Sequence, residues 1–406
     1  MNKMRILLVS IFCGFTMVLF GQSVEQLIET AIERNPGLKA MELEYQAALQ
    51  KSDQVLDYPD PTVSVGIGIL PVETRLGAQV LRFGVSQAVP WKGLLSGRSD
   101  VLKAQAEILS AKDELRAIDI AFAIRSTYTQ LVWLERRKAI IIRKLALIDA
   151  LEDLSKSAVR SGKGKLSNVL LVQRMRELLE ANLTQLEKRK EAPTVILNRW
   201  IGESLDNTIE IIDDVSIPEE LNPYINFANQ EHPQLLMLEK QIDASKMRSK
   251  LTELESKPQI ALGLDYAIID GRSDVQIPNN GRDVFIPMGK IKIPIHTKRF
   301  ESQRQEEVLK QLMLAERKND VVELFHAEII KAQADIDYER SEILKFEQLK
   351  IITTETIDLM RAEYASEGTR FEELLRLELE LIDYDDAILK SRYIQELAAA
   401  TILKFQ

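Results

Sequence analysis

The sequence predicts a mainly α-helical chain that adds strands to a transmembrane β-barrel. It is built as a tandem duplication, each copy supplying two strands and a long coiled-coil helical hairpin. Three observations predict this. Pro36 and Pro233, Pro61 and Pro258, and Gly66 and Gly263 are each 197 residues apart, so one pattern is written twice. Glycine and proline, the usual helix breakers, are missing from residues 98–161 and 295–367, runs of 64 and 73 residues. Between the landmarks lie short segments that alternate apolar with small or polar residues, the period of a strand.

Residues 1–23 read as a secretory signal peptide. Lys3 and Arg5 precede an apolar run from Ile6 to Phe20, which gives way to Gly21, Gln22 and Ser23; the run is too short to act as a spanning helix. The single cysteine, Cys13, lies inside that run behind Ser10, Ile11 and Phe12, not at its end behind small residues, so no lipid anchor is expected. The processed chain then has no thiol for a disulfide, a metal or nucleophilic attack. Without Lys3 and Arg5 it holds 51 basic and 62 acidic residues, a net charge of −11. Such a surface disfavours nucleic acid as a partner. No other stretch is long and apolar enough for a membrane helix, so any crossing must be made by strands.

The first copy, 24–202, enters a helix at Asn35-Pro36 and reaches its first strand at Thr62. Val63, Val65, Ile67 and Ile69 share one face of it, against Thr62, Ser64, Gly66 and Gly68. Leu81, Phe83 and Val85 repeat the alternation in the second strand, against Arg82, Gly84 and Ser86. A linker at 203–222 leads to the second copy, 223–406, with a helix entered at His232-Pro233. There Ile260, Leu262, Leu264 and Tyr266 face away from Ala261, Gly263 and Asp265. The fourth strand, from about Phe285 to Ile293, is less regular, with Lys290 and Lys292 on one face, and its register stays open. Each strand has roughly the nine to eleven residues of a tilted bilayer crossing.

At 1.5 Å per residue, the two breaker-free runs make helices of roughly 100 Å, too long for any globular core, so they must pack on each other. Ile141, Leu145 and Ile148, and Leu374, Leu377, Leu381, Tyr384 and Ile388, keep the 3-4 spacing of such packing. Each run ends at a glycine-marked break, within 160–171 and 364–375, and return helices follow over 165–192 and 369–406. Four strands cannot stand alone in a bilayer, because the sheet edges would leave backbone groups unpaired in hydrocarbon. Two chains give eight strands and a filled interior; three give twelve and leave a lumen, which makes a homotrimer the smallest conducting assembly.

The order and spacing of these parts resemble the TolC family of outer membrane efflux proteins over essentially the whole processed chain. "SQAVPWKG" at 86–93 is similar to that family's strand-to-helix junction, in particular its metal- and cation-efflux branch, and "LNRWIG" at 197–202 to the end of its first return helix. The resemblance implies a trimeric twelve-stranded barrel in the outer membrane of a Gram-negative bacterium, continued by a twelve-helix periplasmic tunnel. It also implies tips that meet a periplasmic adaptor, and through it an inner membrane transporter. By the same resemblance Gly162, Gly164 and Gly368 are adaptor-contacting tip residues, and Asn168, Tyr364, Arg370, Glu372 and Glu373 surround the aperture. Two positions depart from the family pattern: Asn168 is uncharged, and Arg376 stands where an acid is common.

Catalysis is not expected. The histidines, His232, His296 and His326, are scattered, and His326 with Glu328 lacks the spacing of a zinc-binding helix. No cofactor or metal site is expected either. The alternative reading is a periplasmic adaptor, which also carries a long helical hairpin; it has one hairpin within a β-rich domain, whereas this chain has two hairpins and short strand pairs. A coiled-coil spacer, the other alternative, needs no alternating strands.

Overall fold

The computed structural model describes residues 23–212, 231–367 and 370–405. The expected signal peptide, apart from Ser23, lies outside these residues, as do Gly368 and the latter half of the expected linker. Eleven elements follow in order: α1 (Val24–Arg34), α2 (Pro36–Gln54), β1 (Thr62–Thr74), β2 (Gly77–Val89), α3 (Leu94–Arg160), α4 (Leu166–Ile201), α5 (Pro233–Glu255), β3 (Gln259–Gly271), β4 (Val284–Lys292), α6 (Lys298–Glu367) and α7 (Phe371–Phe405). The series α2-β1-β2-α3-α4 recurs as α5-β3-β4-α6-α7, which is the duplication. Among the described residues no helix is long and apolar enough to cross a membrane.

Local chemistry sets the boundaries. Ser23 caps α1 through a reciprocal bond pair with Gln26. Proline opens α2 and α5, where its missing N–H is no loss; His232 Nδ1 caps α5 by accepting from the Gln234 N–H at 3.2 Å. The first return helix does not stop before Pro193, where the breaker places its end, but reaches the "LNRWIG" segment that the family resemblance marks as its end. α4 runs through that proline to Ile201, and Gly202 at φ +74° ends it. Pro193, Leu197, Asn198 and Ile201 are all buried, so packing of this last stretch outweighs the lost hydrogen bond.

The chain divides into two compact units. One holds α2, α5, the sheet and the first parts of α3 and α6. Its strands form one antiparallel sheet in the order β1-β2-β3-β4. Its helices pack around Leu235, Leu238, Leu314, Val321 and Phe325, with Phe405 stacked on Phe325 at 4.8 Å between ring centroids. The other unit holds α1, α4, the later part of α3, and most of α6 and α7. Four helices meet there around Ile148, Leu151, Val172, Ile357, Phe371, Leu374 and Leu375. A second cluster, Leu134, Ile141 and Leu186, joins α3 to α4. Burying each such side chain contributes about 1.5–3 kcal/mol. Polar clasps add register: Tyr128 donates to the Ile212 carbonyl at 2.8 Å, and α7 is tied to α3 by Arg137 on Asp386 at 3.1 Å and Lys144 on Asp383 at 2.6 Å.

Candidate functional site

Two surfaces bear on function, each within one unit. The first is the sheet. Directly opposed residues of an antiparallel pair share a face, and the register sets Val63 opposite Val85, Val65 opposite Phe83 and Ile67 opposite Leu81. It continues with Val85 opposite Leu264 and Val89 opposite Ile260. All nine strand residues singled out in the sequence, Val63, Val65, Ile67, Leu81, Phe83, Val85, Ile260, Leu262 and Leu264, therefore occupy one face. Eight are exposed and Leu81 is half-buried. The register left open by the sequence is resolved: Ile291 opposes Ile260 on the apolar face, while Lys290 opposes Ala261 on the other.

That other face carries small and polar residues. Asp265 is 3% exposed and ion-paired with Arg82 across the β2–β3 seam. A Cβ on Gly84 would lie 2.5 Å from both Asp265 Oδ1 and Ser64 Oγ, so glycine at this position makes room for the pair. Sequence alternation gave the two faces but not this cross-strand ion pair.

The second surface is the helical tips. α3 ends with Gly162 at φ +74°, and the N–H groups of Lys163 and Gly164 both reach the Ala158 carbonyl, at 3.0 and 2.9 Å. A Cβ on Gly164 would stand 2.8 Å from that of Ala158, so Gly164 is required by close approach and Gly162 by backbone conformation. Asn168 follows in the first turn of α4, its Oδ1 enclosed without a hydrogen-bond partner in the structure. At the second tip Arg370 takes φ +63°, and its carbonyl accepts from the N–H groups of Glu373 and Leu374, starting α7. Glu372 and Glu373 are exposed in that first turn. Tyr364 is 8% exposed, packed on Phe371 with ring centroids 5.5 Å apart, and burial pushes its phenol above the usual range. Of Tyr364 and Arg370, then, only the arginine presents its charge outward, with Glu363 at 3.7 Å.

Both tips also hold a buried acid that the sequence did not single out. Glu152 takes Lys156 at 2.8 Å and Gln173 at 2.9 Å, with Arg176 at 3.5 Å. These partners, the Lys156 bond first and Gln173 next, hold its carboxyl below the ordinary value of 4.5. Glu378 accepts from Arg361 Nε at 2.8 Å. Glu152 and Gln173, like Arg361 and Glu378, stand at distances from their turns that match to within one residue, so counting outward from each tip would have found both pairs. Between α3, α6 and α7 an open groove of about 390 Å³ is lined by Leu147, Leu151, Leu154, Tyr364 and Leu374, with Lys163, Arg361 and Glu378 among its polar groups. Among the described residues no group of three or more acidic, histidine or cysteine side chains is placed to hold a metal ion.

No protein-family model and no curated protein sequence matches the chain. Solved structures do. The chain is similar to CusC, described by its transmembrane channel formation, with a TM-score of 0.73 at 16% identity over 94% of this chain and 91% of that one. It is similar to the outer membrane protein VceC of Vibrio cholerae, TM-score 0.72 at 15% identity over 94% and 95%. It is also similar to the open state of the MtrE outer membrane channel of Neisseria gonorrhoeae, TM-score 0.70 at 14% identity over 94% and 88%. The likeness covers 88–95% of each chain, and the chain has the fold of the TolC-type outer membrane efflux channels.

Proposed function

We propose that the chain is the outer membrane exit duct of a tripartite efflux system in a Gram-negative bacterium. It passively conducts substrates delivered by an inner membrane transporter through a periplasmic adaptor, and catalyses no reaction. The observation that carries this reading is the sheet: an exposed face that is apolar apart from Gln87 opposite Leu262, with β1 and β4 at the edges of the four-stranded order. Hydrocarbon satisfies the face and neighbouring copies satisfy the edges. A homotrimer closes twelve strands around a lumen. The repeats at 24–202 and 223–406, with the linker at 203–222 and a signal peptide at 1–23, belong to the same reading.

In this assembly Gly162, Gly164 and Gly368 lie at tips that meet the adaptor, and Asn168, Tyr364, Arg370, Glu372 and Glu373 surround the aperture. Three copies of Glu372 and Glu373 bring six carboxylates to one constriction, which attracts cations. The same two glutamates also sit well in the first turn of α7, where they stabilise the helix terminus by about 0.3–1 kcal/mol each, so the aperture role needs its own test. Cell fractionation tests the whole reading. A detergent-extracted trimer from the outer membrane that conducts in planar bilayers supports it, and soluble or inner-membrane material points instead to a periplasmic adaptor.

A further inference from the structure

The apolar face of the sheet does not end at the last strand pair. Val89 and Ile260, opposed across β2 and β3, run into an open groove of about 560 Å³ whose other walls are Tyr58, Pro90, Trp91, Lys92 and the start of α3. Tyr58 and Trp91 are 66% and 40% exposed. Rings with an apolar body and a polar tip favour the level where headgroups meet hydrocarbon. Lys92 is the single charged side chain lining the groove, and it makes no ion pair among the described residues.

We propose that this groove is a binding site for an anionic phospholipid, its phosphate on Lys92 and its acyl chains running along Ile260, Leu262 and Val85. The proposal rests on the reading of the sheet as membrane-spanning. Charge complementarity selects the headgroup, and continuity with the outward face selects a lipid. A second copy is a poor occupant, because Val89 and Ile260 belong to the two central strands, β2 and β3, whereas neighbouring copies pair with the edges. The leaflet follows as well. The ends of all four strands that connect to α2, α3, α5 and α6 lie at this side of the sheet, and none of those helices can cross a bilayer. The groove therefore faces the leaflet on the helix-bearing side.

Trp91 is its own reporter. The full chain is reconstituted in phosphatidylcholine vesicles carrying increasing fractions of either dibrominated phosphatidylglycerol or dibrominated phosphatidylcholine. Quenching lost in Trp91→Phe isolates its signal from those of Trp133 and Trp200. Trp91 should be half-quenched at about one fifth as much brominated phosphatidylglycerol as brominated phosphatidylcholine, the effect of one lysine near an anionic headgroup. Lys92→Gln should bring the two curves together and Lys92→Arg should keep them apart. Coincident curves in the unaltered chain, or a preference that survives Lys92→Gln, overturns the site while leaving the barrel standing. No quenching of Trp91 by either lipid in folded protein overturns both, since the sheet is then not in the bilayer.

Discussion

An arginine carried along the outward face of β3 should become more destabilising with depth. Ile260, Leu262 and Leu264 stand one, three and five residues from the strand start at Gln259. At ~3.4 Å per residue and a strand tilt of about 40°, these positions lie roughly 3, 8 and 13 Å above the helix-bearing end of the strand. An apolar band about 25 Å tall puts Leu264 close to the midplane and Ile260 at the interface. Arginine should therefore cost about 2–4 kcal/mol per chain at Leu264 and about 0–1 kcal/mol at Ile260, with Leu262 between. In the proposed trimer three copies of the change act together. Ser64→Arg, on the opposite face, which the proposed barrel turns to its lumen, should be tolerated. Unfolding by urea of protein reconstituted in short-chain lipid vesicles measures the series, with trimer bands on mild-detergent gels as a second readout. Equal costs at all three depths, or Ser64→Arg as harmful as Leu264→Arg, would refute a bilayer around this sheet and favour a soluble hairpin packed on helices.

At the tips, Leu374→Ala removes a side chain that is 1% exposed and should destabilise the helical unit by about 2–5 kcal/mol in thermal unfolding. Gly164→Ala drives a methyl group into Ala158 and should cost about 1–3 kcal/mol. Gly162→Ala meets nothing within 4 Å and should cost about 1–2 kcal/mol through its left-handed backbone alone. Because the Glu152 carboxyl is held below its ordinary value of 4.5, its stabilisation is fully present above that pH and is lost as pH falls through the lowered value. Stability curves of the unaltered chain and Glu152→Gln should converge in acid, and parallel curves would remove the charge-based account. In planar bilayers Glu372→Gln with Glu373→Gln should weaken cation preference and Arg370→Ser should raise conductance; no change in either places the constriction elsewhere.

The strand faces were legible because a period of two is a local property: Val63, Val65 and Ile67 announce their common side whatever they later pair with. The long helices were equally legible, since 64 and 73 residues without a breaker leave few other structures. The end of α4 was legible from the resemblance of "LNRWIG" at 197–202 to a family helix end, but not from local breakers. Proline predicts a stop from the local lost hydrogen bond, and only the burial of Leu197 and Ile201 after it shows why the helix continues. The sequence placed β4 to within a residue but not its register, because Pro287 and Gly289 dilute its apolar face; the register comes from pairing with β3, which ends at Gly271, 13 residues before β4 begins at Val284.

The tips show the same limit from the other side. Tyr364 read as an aromatic at an aperture, and its period on α6 does not reveal that Phe371 and Leu374 of α7 enclose it. Glu152 and Glu378 read as two among many solvated carboxylates, yet each is buried and held by a cation, Glu152 by Arg176 of the return helix and Glu378 by Arg361 of the long one. Removing Arg361 leaves the Glu378 carboxylate enclosed without its cation, a strongly destabilising change, whereas Glu152 without Arg176 keeps Lys156 and Gln173. Buried Glu152 and Glu378 each tie the two helices of their hairpin together from within, through Gln173 and Arg361, while Arg370, Glu372 and Glu373 stay exposed; under the proposed aperture, those three are the groups left to meet a neighbouring copy.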